Sequence, residues 1–531
     1  MLRFDYSSRY LEGLNPRDLL LLISSTILVL WVFYKIEIHP RFISPLRHLP
    51  APKGGYPFIG YGLIRFKKPI GPDYLKFMDE IPNDGLIRYR GFFNRNNILL
   101  TSPKALSEVL AKRPYDFEKP PGDRAFMRRV LGDGLVTSEG DIHKFQRKRL
   151  LPMFNFRNIK ALYPVFLKKS ARLVQEIEKS DPAMDSVIDI NSWATKVTLD
   201  IIGIAGIGRD FDTLSDTGDS LAKTYDHVLE PSFEKLLILS MMNLGLDWLI
   251  RFIPGNIDKK FTKGTDSLRE ICYQFIREKR ESQKGSREET TDILSKLMDT
   301  NEFSDEELVD QLLTFIAAGH ETTSSTLTWL VYVLASDKEL QSSLRREIQN
   351  CFPEDLLKNE NGDVQVGAVL ESLPLLNGIC NETMRLYPTV PLSMRTPNKD
   401  TTILGHSVPK GTELYIIPWA INRCRELWGP TAHEFRPERW IDADTGKPNN
   451  TGGAISNYAV MTFLQGVHMC IGQSFAKAEL RALVVTLVRA FEIGLAYPER
   501  PVIPAGIITT KPEGGMWIKL KRVEECFYAQ D

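Results

Sequence analysis

From Ser304 to about Ala335 the chain carries a helix signal so long and so apolar that everything else must be arranged around it. Ser304-Asp305-Glu306-Glu307 reads as a capping box, with serine at the N-cap and glutamate three residues on, each satisfying a backbone donor that the first turn leaves orphaned. The apolar pattern then runs through Phe315 and Trp329, giving roughly 45 Å of helix. Its middle is apolar on nearly all sides, which predicts a helix through the centre of the molecule. Buried polar groups are costly there, so the cluster Gly319-His320-Glu321-Thr322-Thr323 needs a reason.

With 531 residues, 43% of them hydrophobic, the chain can bury a large core. Leu86–Arg90 and Asn97–Thr101 read as a hairpin across an Asn/Gly-rich turn. Ser102-Pro103 then opens a helix, with proline at the first position, where its missing N–H costs nothing. To about residue 390 the periodicity is mostly helical; short strands return around Thr401–Val408, Glu413–Ile417 and the C-terminus. No internal repeat is visible. The prediction is one mainly α body with a small β portion. Lys+Arg and Asp+Glu both total 67, without the basic excess of a nucleic-acid binder, so no nucleic acid is expected as a partner.

Leu19 to Tyr34 is an apolar run bounded by Asp18 and Lys35. It spans roughly 24 Å, short of the ~30 Å hydrocarbon core, but Trp31, Tyr34 and Lys35 can anchor at the interface. No small-x-small cleavage site follows, so a retained anchor is expected rather than a cleaved signal peptide or a buried helix. Flanking charges barely decide its orientation. Pro40, Pro45, Pro50 and Pro52 then predict a stiff extended spacer, with a plain flexible linker as the alternative.

Six cysteines (Cys272, Cys351, Cys380, Cys424, Cys470 and Cys526) are scattered without a C-x-x-C pair, which argues for a reducing compartment and a cytosolic body. Three motifs miss. His320-Glu321 lacks the second histidine of a zinc protease, the glycines at 203, 206 and 208 have the wrong spacing for a dinucleotide loop, and Gly472-Gln473-Ser474-Phe475-Ala476 ends in alanine where a nucleophile elbow needs glycine. The strongest signal is Phe463-Leu464-Gln465-Gly466-Val467-His468-Met469-Cys470-Ile471-Gly472, followed by an amphipathic helix to about Phe491. Gly466 and Gly472 permit tight turns and close approach of a flat ligand. A cysteine at a helix N-terminus is favoured as thiolate, and Phe463 can shield its sulfur from water. Taken alone, Cys470 reads equally as a buried structural thiol.

This stretch resembles the cysteine loop of the cytochrome P450 family, F-x-x-G-x-[R/H]-x-C-x-G, at every fixed position. Three further motifs follow the family's order and spacing. Ala318-Gly319-His320-Glu321-Thr322-Thr323 resembles its oxygen-activating motif, Glu382-Thr383-Met384-Arg385 its E-x-x-R, and Phe435-Arg436-Pro437-Glu438-Arg439-Trp440 its P-E-R-F box. The resemblance spans about residues 40 to 520 and implies the cytochrome P450 fold, with haem b between the central helix and the cysteine-loop helix. It implies an N-terminal segment over 1–40, a linker over 41–57 and a haem-binding catalytic domain over 58–531.

By that resemblance Cys470 is the axial iron ligand, whose thiolate favours O–O cleavage. Glu321 and Thr322 would relay protons, and Ala318 with Gly319 would leave room for dioxygen against a locally distorted helix. A threonine back-bonding to its own turn is the generic alternative for Thr322. Glu382, Arg385 and Arg439 would brace the cysteine loop as an ion-pair network. Arg147 and Arg395 match the family's propionate arginines; His143 stands where tryptophan is usual and His468 where arginine is commoner, both as propionate partners.

The implied substrate is a lipophilic small molecule. Its pocket walls would come from Arg113–Leu135, the 211–255 region, Phe315, Ala318, Val390–Met394 and Ala505–Ile508. The apolar stretch 236–253 reads as a membrane-facing entrance or as ordinary packing. The chain carries no flavin or nicotinamide site, so electrons would come from a separate NADPH-dependent flavoprotein reductase of the endoplasmic reticulum membrane. Arg147–Arg149 and Lys477 would help dock it, unless they are plain surface charge. The implied activity is monooxygenation, as in microsomal fungal enzymes of secondary metabolism. An oxygen-independent isomerase or dehydratase often lacks the acid–alcohol pair, and a non-catalytic haem protein has no need of one.

Overall fold

The capping box at Ser304 forms as read: Ser304 Oγ accepts from the Glu307 N–H at 3.3 Å, and the Glu307 carboxylate accepts from the Ser304 N–H at 2.8 Å. The helix it opens spans Asp305–Ser336, 32 residues, and is buried throughout from Leu308 to Ala317. The computed structural model describes residues 15–215, 232–253, 257–283, 292–351, 363–506 and 508–523. Cys526 and part of the 211–255 wall lie outside the described residues.

Helices pack onto the central one from several sides. Ile190–Ile202 crosses it so closely that a Cβ on Gly319 would lie 2.8 Å from Ile202 Cγ1. The glycine therefore serves helix–helix contact, where space for dioxygen had been expected. Gln473–Ala490, the helix after the cysteine loop, packs between the central helix and Tyr163–Ser180. Pro121–Leu131 and Phe233–Asn243 lie against each other, the former also on the central helix.

A second, smaller core gathers around a five-stranded sheet. Its order is Leu86–Arg90, Asn96–Leu100, Leu414–Ile416, Ser393–Pro397, Phe117–Glu118, antiparallel except between the second and third strands. The predicted hairpin is present, its second strand one residue earlier than read, with Leu86 opposite Leu100. Ser102 caps the next helix by accepting from the Ala105 N–H at 3.2 Å. Thr401–Ile403 and His406–Val408 form a hairpin whose turn residues, Leu404 and Gly405, both have positive φ (51° and 82°), the twist that suits a two-residue loop. The fold is mainly α with small sheets, as expected.

At the N-terminus Pro16–Phe33 is a helix with no buried residue, continuing with π-type winding over Tyr34–Ile43. Together these 28 residues are long and apolar enough to cross a membrane. The proline-rich stretch is not the extended spacer expected. Pro40 is accommodated inside the widened helix, and Pro45 opens a short helical turn to His48, a first position that proline tolerates. Leu46 and Leu49 are buried in the second core, and the Arg88 N–H donates to Pro50 O at 2.8 Å. The segment is docked on the body because its leucines gain apolar contact there.

Candidate active site

Between Leu308 and Val331 the burial of the central helix breaks at one place. Ala318 is exposed and Gly319, Glu321 and Thr322 are half-buried, while residues on both sides are closed off. Winding is unbroken here, so the expected local distortion is absent. Thr322 donates its hydroxyl one turn back to Ala318 O at 2.7 Å, the back-bonding arrangement typical of helix threonines. Glu321 accepts a 2.7 Å hydrogen bond from Thr509 Oγ1, from a loop 188 residues further along the chain.

The cysteine loop is built on backbone geometry. Gly466 has φ +77°, and a Cβ there would fall 2.0 Å from Leu110 O, so no other residue fits without moving the neighbouring chain. Gly472 has φ −86°, an ordinary value; what its small size leaves open is space beside Cys470 Sγ, 3.9 Å from an ideal Cβ. The Cys470 N–H donates to Phe463 O at 2.9 Å, closing the loop. Phe463 is half-buried against the main core.

Cys470 has an open surface, yet protein encloses it closely enough that burial pushes its thiol above the ordinary range. A side chain both open and enclosed faces an interior space. The Gly472 N–H and Arg147 pull the other way, as a helix terminus should, without outweighing the burial. A metal cation would supply what is missing, since coordination deprotonates a thiol outright.

Beside the loop lies a crowd of basic groups. Arg395 is buried and donates only locally among the contacts seen, to Met394 O at 2.7 Å and Ser393 Oγ at 3.3 Å. Lys119 reaches Glu139 at 3.2 Å, yet burial, helped by Arg395, lowers its pKa to about 8. His143 is buried, 3.2 Å by Nδ1 from the Tyr115 hydroxyl, and its ring centroid lies 4.3 Å from that of His468. Burial, then Lys119 and Arg147, lower His143 to about 4; burial and Arg395 lower His468 to about 2. His468 Nε2 is buried without a hydrogen-bond partner. Cations this close, with Glu139 the acid that faces them, make a pocket that lacks an anion.

The brace is complete by contrast. Arg385 donates to both oxygens of Glu382 at 2.6 and 2.8 Å, with both side chains fully buried. Glu382 also accepts from Arg439 Nε at 3.2 Å, Trp440 Nε1 at 2.9 Å and the Arg436 N–H at 2.9 Å. Arg385 spends its remaining donors on the carbonyls of Asn422, Ala432 and Glu434, which ties the residues ahead of the cysteine loop to one helix.

Comparison with known proteins decides what this arrangement belongs to. The cytochrome P450 family model matches residues 56–518. The chain belongs to the cytochrome P450 family. It is 41% identical over 497 residues to the cytochrome P450 monooxygenase ptmK of Penicillium ochrochloron, covering 93% of this chain and 96% of that protein. It is 38% identical to sphH of Aspergillus fumigatus, over 93% of this chain and 91% of the relative, and 37% identical to abl5 of Leptosphaeria maculans, over 94% and 92%. Both are likewise named cytochrome P450 monooxygenases, and this P450 is an oxidoreductase of the monooxygenase type.

P450 enzymes carry a haem-thiolate cofactor, and this site suits one. An open, enclosed sulfur lies near the orphaned His468 Nε2 and an uncompensated cation cluster, as a flat iron-containing dianion requires. Every sequence-predicted site residue lies on the cysteine loop, the central helix opening or this cluster. Sequence reading missed Thr509, and it placed Tyr115 and Lys119 only within a substrate-pocket wall, Arg113–Leu135, not beside the two histidines where the fold brings them. Lys477 does not suit a docking surface: it is half-buried, 6.0 Å over the Phe463 ring, and burial lowers its pKa to about 8. Arg149 pairs with Glu302, while Lys148 is exposed.

Proposed function

We propose that this P450 inserts one oxygen atom from dioxygen into a lipophilic small molecule, by hydroxylation, epoxidation or a multistep oxidation, within fungal secondary metabolism. The observation that carries this reading is the opening in the buried middle of the central helix, which leaves Ala318, Glu321 and Thr322 uncovered. Haem b, held by the Cys470 thiolate, would supply oxygen activation. Arg147, Arg395, His143 and His468 would hold its propionates; the orphaned His468 Nε2 supports that role, and Lys119 adds a further cation. Phe463, Gly466 and Gly472 shape the sulfur's surroundings. Ala318 leaves the distal face clear, Thr322 offers a hydroxyl there, and Glu321 delivers protons. The intact acid–alcohol pair favours this over oxygen-independent isomerase or dehydratase chemistry.

The apolar walls fit a lipophilic substrate. Ile238, Leu239 and Ile250 are packed inward, whereas Leu244, Leu246, Trp248 and Phe252 are exposed, so the 236–253 stretch serves both packing and contact with lipid. With the apolar helix Pro16–Ile43, unburied from Pro16 to Phe33, this supports a single-pass anchor over residues 1–40, a linker over 41–57 and a cytosolic catalytic domain over 58–531 at the endoplasmic reticulum membrane. Electrons would come from an NADPH-dependent flavoprotein reductase, with Arg147 and Lys148 on the docking side. The test is mass spectrometry of host extracts grown under labelled dioxygen, parent against Cys470→Ala. A labelled product that vanishes in the variant, with its precursor accumulating, is expected. A product that vanishes but never carries label would favour oxygen-independent chemistry.

A further inference from the structure

Glu321 is not left to move freely at the helix opening. Thr509 is buried, and its hydroxyl donates to Glu321 Oε1 at 2.7 Å. The loop that carries Thr509 is fastened to the same helix one and two turns beyond Glu321. Ser325 Oγ and Trp329 Nε1 both donate to Thr510 O, at 2.5 and 3.3 Å. The Thr510 N–H donates to Thr389 O at 2.8 Å. Gly506 holds the turn, since a Cβ there would fall 1.7 Å from Thr509 O. Thr509 thus meets the carboxylate from a scaffold fixed at several points, while the Thr322 hydroxyl is committed to Ala318 O.

We infer that Thr509 is a positioning residue for the proton-delivering carboxylate: its hydroxyl fixes the Glu321 rotamer and the distance over which Glu321 must act. This rests on the assignment of Glu321 as proton source in the preceding section. A hydrogen bond to a carboxylate favours its ionised form and restricts its torsions, so removing the donor leaves a carboxylate that samples other rotamers. The proton path then opens at the wrong times, and electrons leak to hydrogen peroxide instead of reaching product.

The test compares Thr509→Val, which is nearly isosteric but cannot donate, with Thr509→Ser, which can. Two readouts are needed on the haem-loaded full chain. The first is the infrared carboxylate band that disappears in Glu321→Gln. It should shift in Thr509→Val and return in Thr509→Ser; an unshifted band in Thr509→Val overturns the inference whatever the activity does. The second is peroxide released per NADPH with the reductase and the precursor isolated from the Cys470→Ala host. It should rise severalfold in Thr509→Val, return to the parent level in Thr509→Ser, and not rise further when Thr509→Val is added to Glu321→Gln. A shifted band with parental coupling overturns the positioning role. Parental coupling in Glu321→Gln itself strikes at the proton-source assignment, and leaves the infrared result to judge the contact alone.

Discussion

The brace at Glu382 and the basic cluster beside Cys470 are both buried concentrations of charge, and they are solved in opposite ways. In the brace each charge meets its opposite and the spare donors end on carbonyls. In the cluster, Arg395, Lys119 and Arg147 crowd two histidines held neutral, with Glu139 as the facing acid and one ring nitrogen orphaned. A buried charge without a partner destabilises a fold, so a cluster that persists in this form implies a ligand that completes it. The brace belongs to folding; the cluster belongs to binding.

The largest effect should come from breaking the brace. Arg385→Ala leaves the fully buried Glu382 with Arg439 as its remaining cationic partner and frees the carbonyls of Asn422, Ala432 and Glu434, and should cost about 3 kcal/mol or more, seen as a lower urea midpoint and as failure to retain haem. A variant that folds and loads haem like the parent would remove the distinction between the two regions. Next, Arg395→Leu should do the reverse to the haem-free protein, leaving its stability equal or higher because a desolvated cation is gone. It should weaken haem retention about tenfold or more, the scale of one hydrogen bond to a charged group. Stability of the haem-free and haem-loaded forms, measured side by side, checks both halves.

A smaller effect should appear with pH. The unfolded chain protonates His143 near 6.5, whereas the folded one resists to about 4. The unfolded state therefore binds more protons in that window, and stability present above 6.5 is lost as pH falls, by up to about 3 kcal/mol for this group. Urea midpoints of the haem-free protein should fall between pH 7 and 5, less steeply in His143→Phe and less steeply in the haem-loaded parent. Equal slopes in all three would mean that the cluster carries no such strain.

These contrasts also mark what could be read from sequence. The brace was legible because Glu382 and Arg385 sit one helix turn apart in a fixed pattern, and Arg439 lies in a second motif. The helix start at Ser304 was legible because capping is local. Thr509 was not, nor was the place of Lys119 in the basic cluster rather than a substrate wall, because their partners Glu321 and Glu139 are 188 and 20 residues away and only the fold brings them together. At Cys470 the helix terminus is visible in sequence, but the burial that opposes it is not. Prolines misled at residues 40–48 for two reasons: Pro45 sits at the start of its turn, where proline is tolerated, and Pro40 is taken up inside a helix widened to π-type winding.

The account rests on Cys470 as the thiolate ligand within a completed cation cluster. The most direct measurement is the carbon-monoxide difference spectrum of the reduced, haem-loaded protein, for the parent, Cys470→Ala and Cys470→His. The parent should give the long-wavelength band of a thiolate-ligated haem, and both variants should lose it, with any haem retained by Cys470→His showing a nitrogen-ligated spectrum. A thiolate band that survives in Cys470→Ala would place the iron on another sulfur and contradict the account.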